Sequence, residues 1–286
     1  MSVESSDKTE NMAKYAEKML TMKEYIEHPY VKGDGRSHVF TIEKNGKKLV
    51  YFGTAHTNKK EDPLFTEIQK QFDEAKSHMM FVEGMRHLNE MKEQYRSQYA
   101  SKSLDDCKNE GDPSFALKLA VDAGIDFESP EPRQGDEIRH VLELGYEKKD
   151  IYAYYMYRII YQYQRGETSP TVEGCKIYLQ RYMDVFRTNS EWDSDELDVL
   201  ERHMLEEIGT GDKNRFKRSI DPIPWDGKEY GNINKVSDAS GRYRDVYILS
   251  RIIEGLKKYD TVFVVYGASH AVIEEPALRE YFEQEV

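Results

Sequence analysis

The sequence predicts an α/β fold: a central, mostly parallel sheet flanked by helices and interrupted by one large all-helical insertion. Three observations carry this expectation. Short unbroken apolar runs recur at Leu49–Phe52, Met79–Val82 and Val262–Tyr266, as in strands buried on both faces. Helix-patterned stretches separate the first runs at the spacing of strand–helix–strand units. From Asp136 to about Gly209 the helical patterning continues with no convincing strand.

The elements follow in order. Met12–His28 carries Tyr15, Met19, Met22, Tyr25 and Ile26 at roughly helical spacing and reads as a peripheral helix ended by Gly33–Gly35. Ser37–Ile42 and Lys48–Phe52 flank Asn45-Gly46, the strongest short-range hairpin signal. Asp62-Pro63 opens a helix with Leu64, Ile68, Phe72 and Ala75 on one face, and a strand over His78–Glu83 follows. Met85–Tyr99 reads as an amphipathic helix and Ser101–Asn109 as a loop. Asp112-Pro113 opens a further helix in the manner of Asp62-Pro63, Gly124 stops it, and Ile125–Glu128 is a strand.

The insertion includes Ile151–Tyr163, where Tyr152, Tyr155 and Ile159 share one face and Tyr154, Tyr157 and Tyr161 another. A helix that is aromatic all round belongs between other helices; the alternative is a lid whose phenols face a substrate. Gly211–Ser240 reads as a loop and Arg242–Asp260 as the last long helix, with Asp245 near its start as a cap. A strand over Thr261–Tyr266 and a short helix over Pro276–Phe282 end the chain. The implied divisions are an N-terminal extension (1–30), a first α/β part (31–135), the helical insertion (136–235) and a second α/β part (236–286).

Composition narrows the function classes. The chain has 286 residues, 38% hydrophobic and 33% charged, with a net charge of −12, which argues against nucleic-acid or anionic-membrane partners. Cys107 and Cys175 have neither metal-type spacing nor the numbers of a disulfide framework, so a reducing compartment is expected. No secretory signal or membrane-spanning apolar stretch is visible, and a soluble cytoplasmic protein acting on a small molecule or peptide is the expectation.

The chemistry lies where the apolar runs end. Leu49–His56 and Thr261–His270 share one pattern: apolar run, glycine, two small residues, histidine. The run before Gly84 ends on Glu83, and the Ile125 strand is followed by Glu128 and Glu131. If these strands are parallel neighbours, His56, Glu83, Glu131 and His270 converge at one sheet edge, where open α/β folds place their sites. Imidazole is both a common metal ligand and the natural base near neutral pH. Each residue also has a structural reading: a hydrogen-bonded histidine, a salt bridge for Glu83, and a surface pair for Arg242 and Arg244. Of the two later glutamates, Glu131 is favoured because it lies beyond its strand. His78 points to the opposite end of the sheet, and His87, His140 and His203 fall on helical segments.

Gly53–His56, Glu83, a later carboxylate, Arg244-Asp245 before a helix, and Gly267–His270 together resemble the TraB/TIKI proteins and the related erythromycin esterase and ChaN proteins. The resemblance covers about Val39–Pro132 and Arg242–Phe282. It implies an α/β fold with its site at the strand ends. It also implies metal-site roles for His56 and His270, a ligand or base role for Glu83, and a site arginine in Arg244. TIKI proteins are metal-dependent proteases, erythromycin esterases use histidine and glutamate to activate water against a lactone, and ChaN proteins bind haem.

The resulting expectation is a hydrolase of peptide, ester or lactone bonds, with His56, Glu83, Arg244 and His270 as catalytic residues. His56, Glu83, Glu131 and His270 would hold a divalent metal, with Mn, Co and Zn not distinguished. The alternatives are a metal-independent esterase with a histidine base, a haem- or cofactor-binding module, and an interaction protein with a dead site.

Overall fold

A computed structural model describes residues 14–33, 36–85, 87–166, 171–188, 192–208 and 231–286. The chain divides into two compact units, Met1–Pro132 together with Asp245–Val286, and Arg133–Arg244. In the first unit the chain runs α1 (Met22–Glu27), α2 (Pro29–Lys32), β1 (Ser37–Lys44), β2 (Lys47–Thr54), α3 (Pro63–Ala75), β3 (Met79–Val82), α4 (Lys92–Ala100), α5 (Leu104–Glu110), α6 (Asp112–Ala123) and β4 (Asp126–Glu128). The second unit holds α7 (Gln134–Glu143), α8 (Lys148–Gly166), α9 (Val172–Arg187), α10 (Ser194–Ile208) and the first half of α11 (Asn232–Lys258). The rest of α11, β5 (Thr261–Gly267) and α12 (Ala268–Glu285) belong to the first unit.

The five strands form one mixed, mostly parallel sheet in the order β1-β2-β5-β3-β4. The β1–β2 hairpin is antiparallel and turns on Asn45 and Gly46, both at positive φ (51° and 84°) as a two-residue hairpin requires. The last strand, β5, is central: Val262 lies opposite Leu49 on one side and Met79 on the other, in parallel register.

Alternate residues of the strands feed two cores. Leu49, Tyr51, Met79, Phe81, Val262, Val264 and Tyr266 face one side, with Ile248 and Ile252 of α11 and Leu278 of α12. Val50, Phe52, Met80, Val82, Phe263 and Val265 face the other, with Phe65 and Ile68 of α3 and Phe115 of α6. Both faces are covered, which is why the strands read as unbroken apolar runs.

Several helices depart from the sequence expectation. The expected Met12–His28 helix is broken: Thr21 and Glu24 form a capping box that starts α1, and Pro29 starts α2. The described residues between Met85 and Met91 are not helical. Gly84 turns the chain at φ 80°, and the Asn89 side chain exchanges hydrogen bonds with the Ser129 backbone (2.8 and 2.9 Å), so α4 begins only at Lys92. The expected Ser101–Asn109 loop holds α5, started by a Ser103–Asp106 capping box. Asn232–Ser240, expected as loop, is helical, so Arg242, Arg244 and Asp245 lie inside α11 rather than at its start. Gly211–Tyr230, the rest of that loop reading, lies outside the described residues. The helix expected from Pro276 begins instead at Ala268, immediately after β5, with Pro276 inside it.

The second unit is helical throughout its described elements, as the patterning predicts. The tyrosines of α8 form its core: Tyr152, Tyr154, Tyr155 and Tyr157 are buried, and Tyr152 and Tyr155 stand edge-on to Phe186. Tyr155 donates to the buried Glu137 carboxylate at 2.9 Å. Among the described residues, no helix is long and apolar enough to cross a membrane.

Two glycines test the packing. A methyl group at Gly53 would lie 2.7 Å from both Ala271 Cβ and His38 O and 2.9 Å from Ala268 Cα, because α12 lies directly on β2 there. Gly53→Ala is therefore expected to destabilise by about 1–3 kcal/mol. A methyl at Gly241, inside α11, meets nothing within 4 Å among the described residues, so Gly241→Ala should stabilise by roughly 0.5–1 kcal/mol. Urea unfolding of both variants checks this; a neutral Gly53→Ala would contradict the close approach of α12.

Candidate functional site

Three parallel strands, β2, β5 and β3, end side by side and deliver His56, His270 and Glu83. They meet around Gly267. A side chain there would begin 3.2 Å from His56 Nε2, 3.3 Å from Glu83 Oε2 and 3.5 Å from His270 Cδ2. The Gly267 N–H donates to Glu83 Oε2 at 2.6 Å, and the same oxygen lies 3.3 Å from His56 Nε2. The backbone of β5 thus fixes the carboxylate, and the absence of a side chain at 267 leaves room for the two imidazoles.

Each histidine meets an aspartate through Nδ1. His56 follows β2 in a left-handed conformation (φ 51°), uncommon for a residue other than glycine. Its Nδ1 lies 3.2 Å from Asp112 Oδ2. Asp112 also accepts the Thr54 hydroxyl at 2.6 Å and the Thr57 N–H at 3.1 Å. His270 sits in the first turn of α12, its Nδ1 2.5 Å from Asp245 on α11. Asp245, His270 and Glu274 each offer a ligand atom within 4.8 Å of the others. Glu274 Oε2 accepts the Tyr51 hydroxyl at 3.1 Å. Burial, then the Glu274 charge, raises that phenol well above its ordinary value.

Of the residues expected at this edge, His56, Glu83 and His270 come together. Glu131 flanks them: it is buried and accepts the Tyr266 hydroxyl, while the Tyr266 ring stands edge-on to His270 with centroids 4.9 Å apart. Glu128 is engaged by Arg251 at 2.5 Å. Arg244 is buried and belongs to the second unit, where its charge acts on Arg158.

The sequence reading missed Asp112 and Glu274 as neighbours of the histidines. Asp112 was expected to cap α6 as Asp62 caps α3. Asp62 does accept the Leu64 N–H at 3.0 Å, whereas the cap position of α6 is Gly111 and makes no side-chain bond. The one signal for Glu274 was its spacing four residues after His270, which shares a face only once α12 is known to begin at Ala268.

The electrostatics follow from these contacts. The hydrogen bond to Asp112, then that to Glu83, pushes the His56 imidazole up to about 10, against the opposing effect of its partial burial. Burial on its own would raise the Asp112 carboxyl; the His56 bond and charge, the Thr54 hydroxyl and the Thr57 N–H outweigh it and hold Asp112 below its ordinary value. The His56 imidazole thus holds its proton more readily than a free one, with Asp112 at Nδ1 and Glu83 3.3 Å from Nε2.

A cleft of about 340 Å³ opens beside His56, lined by Thr57, Asn58, Glu110, Gly111, Asp112 and Pro113. No family model, curated protein or solved structure matches the chain.

The ion pair predicts a pH profile. A raised folded-state value for His56 means its stabilisation is complete below about 6.5 and is lost as pH climbs through about 10. The depressed Asp112 contributes above the ordinary carboxylate range of about 3.9 and loses its contribution as pH falls through its lowered value. Urea midpoints measured from pH 6 to 10.5 should fall for the wild type, with a shallower alkaline fall in Asp112→Asn. Parallel profiles would show that Asp112 does not hold the His56 charge.

Proposed function

We propose that the chain is a hydrolase whose working groups are His56, Glu83 and His270, acting with a divalent cation. The observation that carries this reading is the arrival of those three side chains around Gly267 at the ends of adjacent parallel strands, with Asp245 and Glu274 offering ligand atoms beside His270. Two imidazoles and a carboxylate are a donor set suited to zinc, manganese or cobalt. A bound ion would bring the pKa of an attached water toward neutrality.

The chain's own groups do the rest. Glu83, held by the Gly267 N–H, is placed to take a proton from water. A peptide, ester or lactone would approach His56 from the cleft beside it. The resemblance of the motif order to that of TIKI and erythromycin esterase proteins favours hydrolysis. Four tyrosines of α8, the candidates for stacking on a haem ring, are core residues of their own unit, which favours hydrolysis over a haem-binding role.

Binding a cation requires His56 to give up its proton, so affinity should rise with pH through the neutral range. The test is elemental analysis of protein purified without chelator, wild type beside His56→Ala, with hydrolysis followed on ester, lactone and peptide substrates. A stoichiometric divalent metal in the wild type and its loss in the variant are expected. Glu83→Gln should cut hydrolysis by about 10²–10⁴-fold with the fold intact. Hydrolysis unchanged by Glu83→Gln would sink the assignment; hydrolysis by a metal-free wild type would move it to direct histidine catalysis.

A further inference from the structure

We propose that Asp112 and Asp245 are a matched pair of positioning residues, each gripping one site histidine at Nδ1 and leaving Nε2 of both rings as the working atom. The proposal rests on the functional reading above for the claim that those histidines work; the grip itself rests on geometry.

Neither aspartate side chain caps its own helix. Asp112 is the first residue of α6, but the cap position is Gly111 and no side-chain bond to the helix is made. The carboxylate turns instead to a segment more than fifty residues earlier and takes three donors from it: the Thr54 hydroxyl, the Thr57 N–H and His56 Nδ1. At 2% exposed, it would be costly to bury without such partners. The contacts bracket His56 from both sides along the chain and hold it in its left-handed conformation.

Asp245 lies deep inside a 27-residue helix, a position that disfavours aspartate and asks nothing of its side chain. It is 5% exposed and reaches His270 Nδ1 at 2.5 Å. An ionised carboxylate only accepts, so a hydrogen bond of this kind puts the proton on Nδ1. Two unrelated helices thus supply the same contact to the same ring atom of both histidines. That repetition argues against incidental packing. It is also the arrangement that fixes ring orientation and raises basicity at the opposite nitrogen when imidazole serves a metal or a proton.

Proton NMR of the metal-free full chain at neutral pH, with ¹⁵N-labelled histidine, tests the proposal. Two downfield Nδ1–H resonances are expected, one from His56 and one from His270. Asp112→Asn should remove or shift the first alone, and Asp245→Asn the second alone. Each variant should also weaken Zn²⁺ binding by about 10–100-fold. An unprotonated Nδ1 in either wild-type ring, resonances that persist in both variants, or unchanged Zn²⁺ affinity would overturn it. Should a variant fail to fold, the wild-type spectrum decides alone. A wild type that binds no Zn²⁺ would count against the metal-dependent reading, while the Nδ1–H resonances still decide whether the aspartates grip the rings.

Discussion

The hydrogen bond from the Gly267 N–H to Glu83 is the contact on which the site depends. It joins the end of the central strand to the end of its neighbour and places a carboxylate where two histidines meet. The bond exists because β5, although last in sequence, is inserted between β2 and β3. It leaves room for the imidazoles because residue 267 has no Cβ. A sheet buried on both faces supplies the rigidity: Phe263 and Val265 pack toward α3 and α6, and Val262 and Val264 toward α11 and α12. Sites built on such strand ends are held more tightly than sites on loops.

Much of this was legible in the sequence, for identifiable reasons. Unbroken apolar runs marked the buried strands because neither face meets water. Asn45-Gly46 marked the hairpin because both residues tolerate positive φ, and Asp62-Pro63 marked α3 because the carboxylate can cap and proline suits the first turn. The repeated glycine–small–small–histidine pattern located His56 and His270, and the strand before Gly84 located Glu83. Their meeting point followed once the strands were taken as parallel neighbours.

What the sequence concealed was tertiary. Asp112 carried the local signature of a helix cap, and only the fold reveals that its carboxylate serves a histidine on a distant strand end. Asp245 was taken for a cap because α11 was expected to start ten residues too late; inside a helix, its burial against His270 becomes its distinguishing feature. Pro276 imitated a helix start and hid the fact that His270 and Glu274 lie one turn apart on α12. Glu131, expected as a metal ligand, instead accepts the Tyr266 hydroxyl, and the Tyr266 ring stands edge-on to His270. In each case local propensity described one residue correctly and tertiary contact assigned its use.

If His56, Glu83 and His270 act as one site, they do so because Gly267 leaves space among them. The most direct measurement is calorimetric Zn²⁺ titration of the wild type beside Gly267→Ala. The backbone at 267 (φ −56°, ψ 137°) is open to alanine, so the fold should survive, while the added methyl would stand 3.2–3.5 Å from all three side chains. Zn²⁺ should bind the wild type and not Gly267→Ala, with little change in unfolding midpoint. Equal affinity in the two proteins, or none in the wild type, would contradict a shared site.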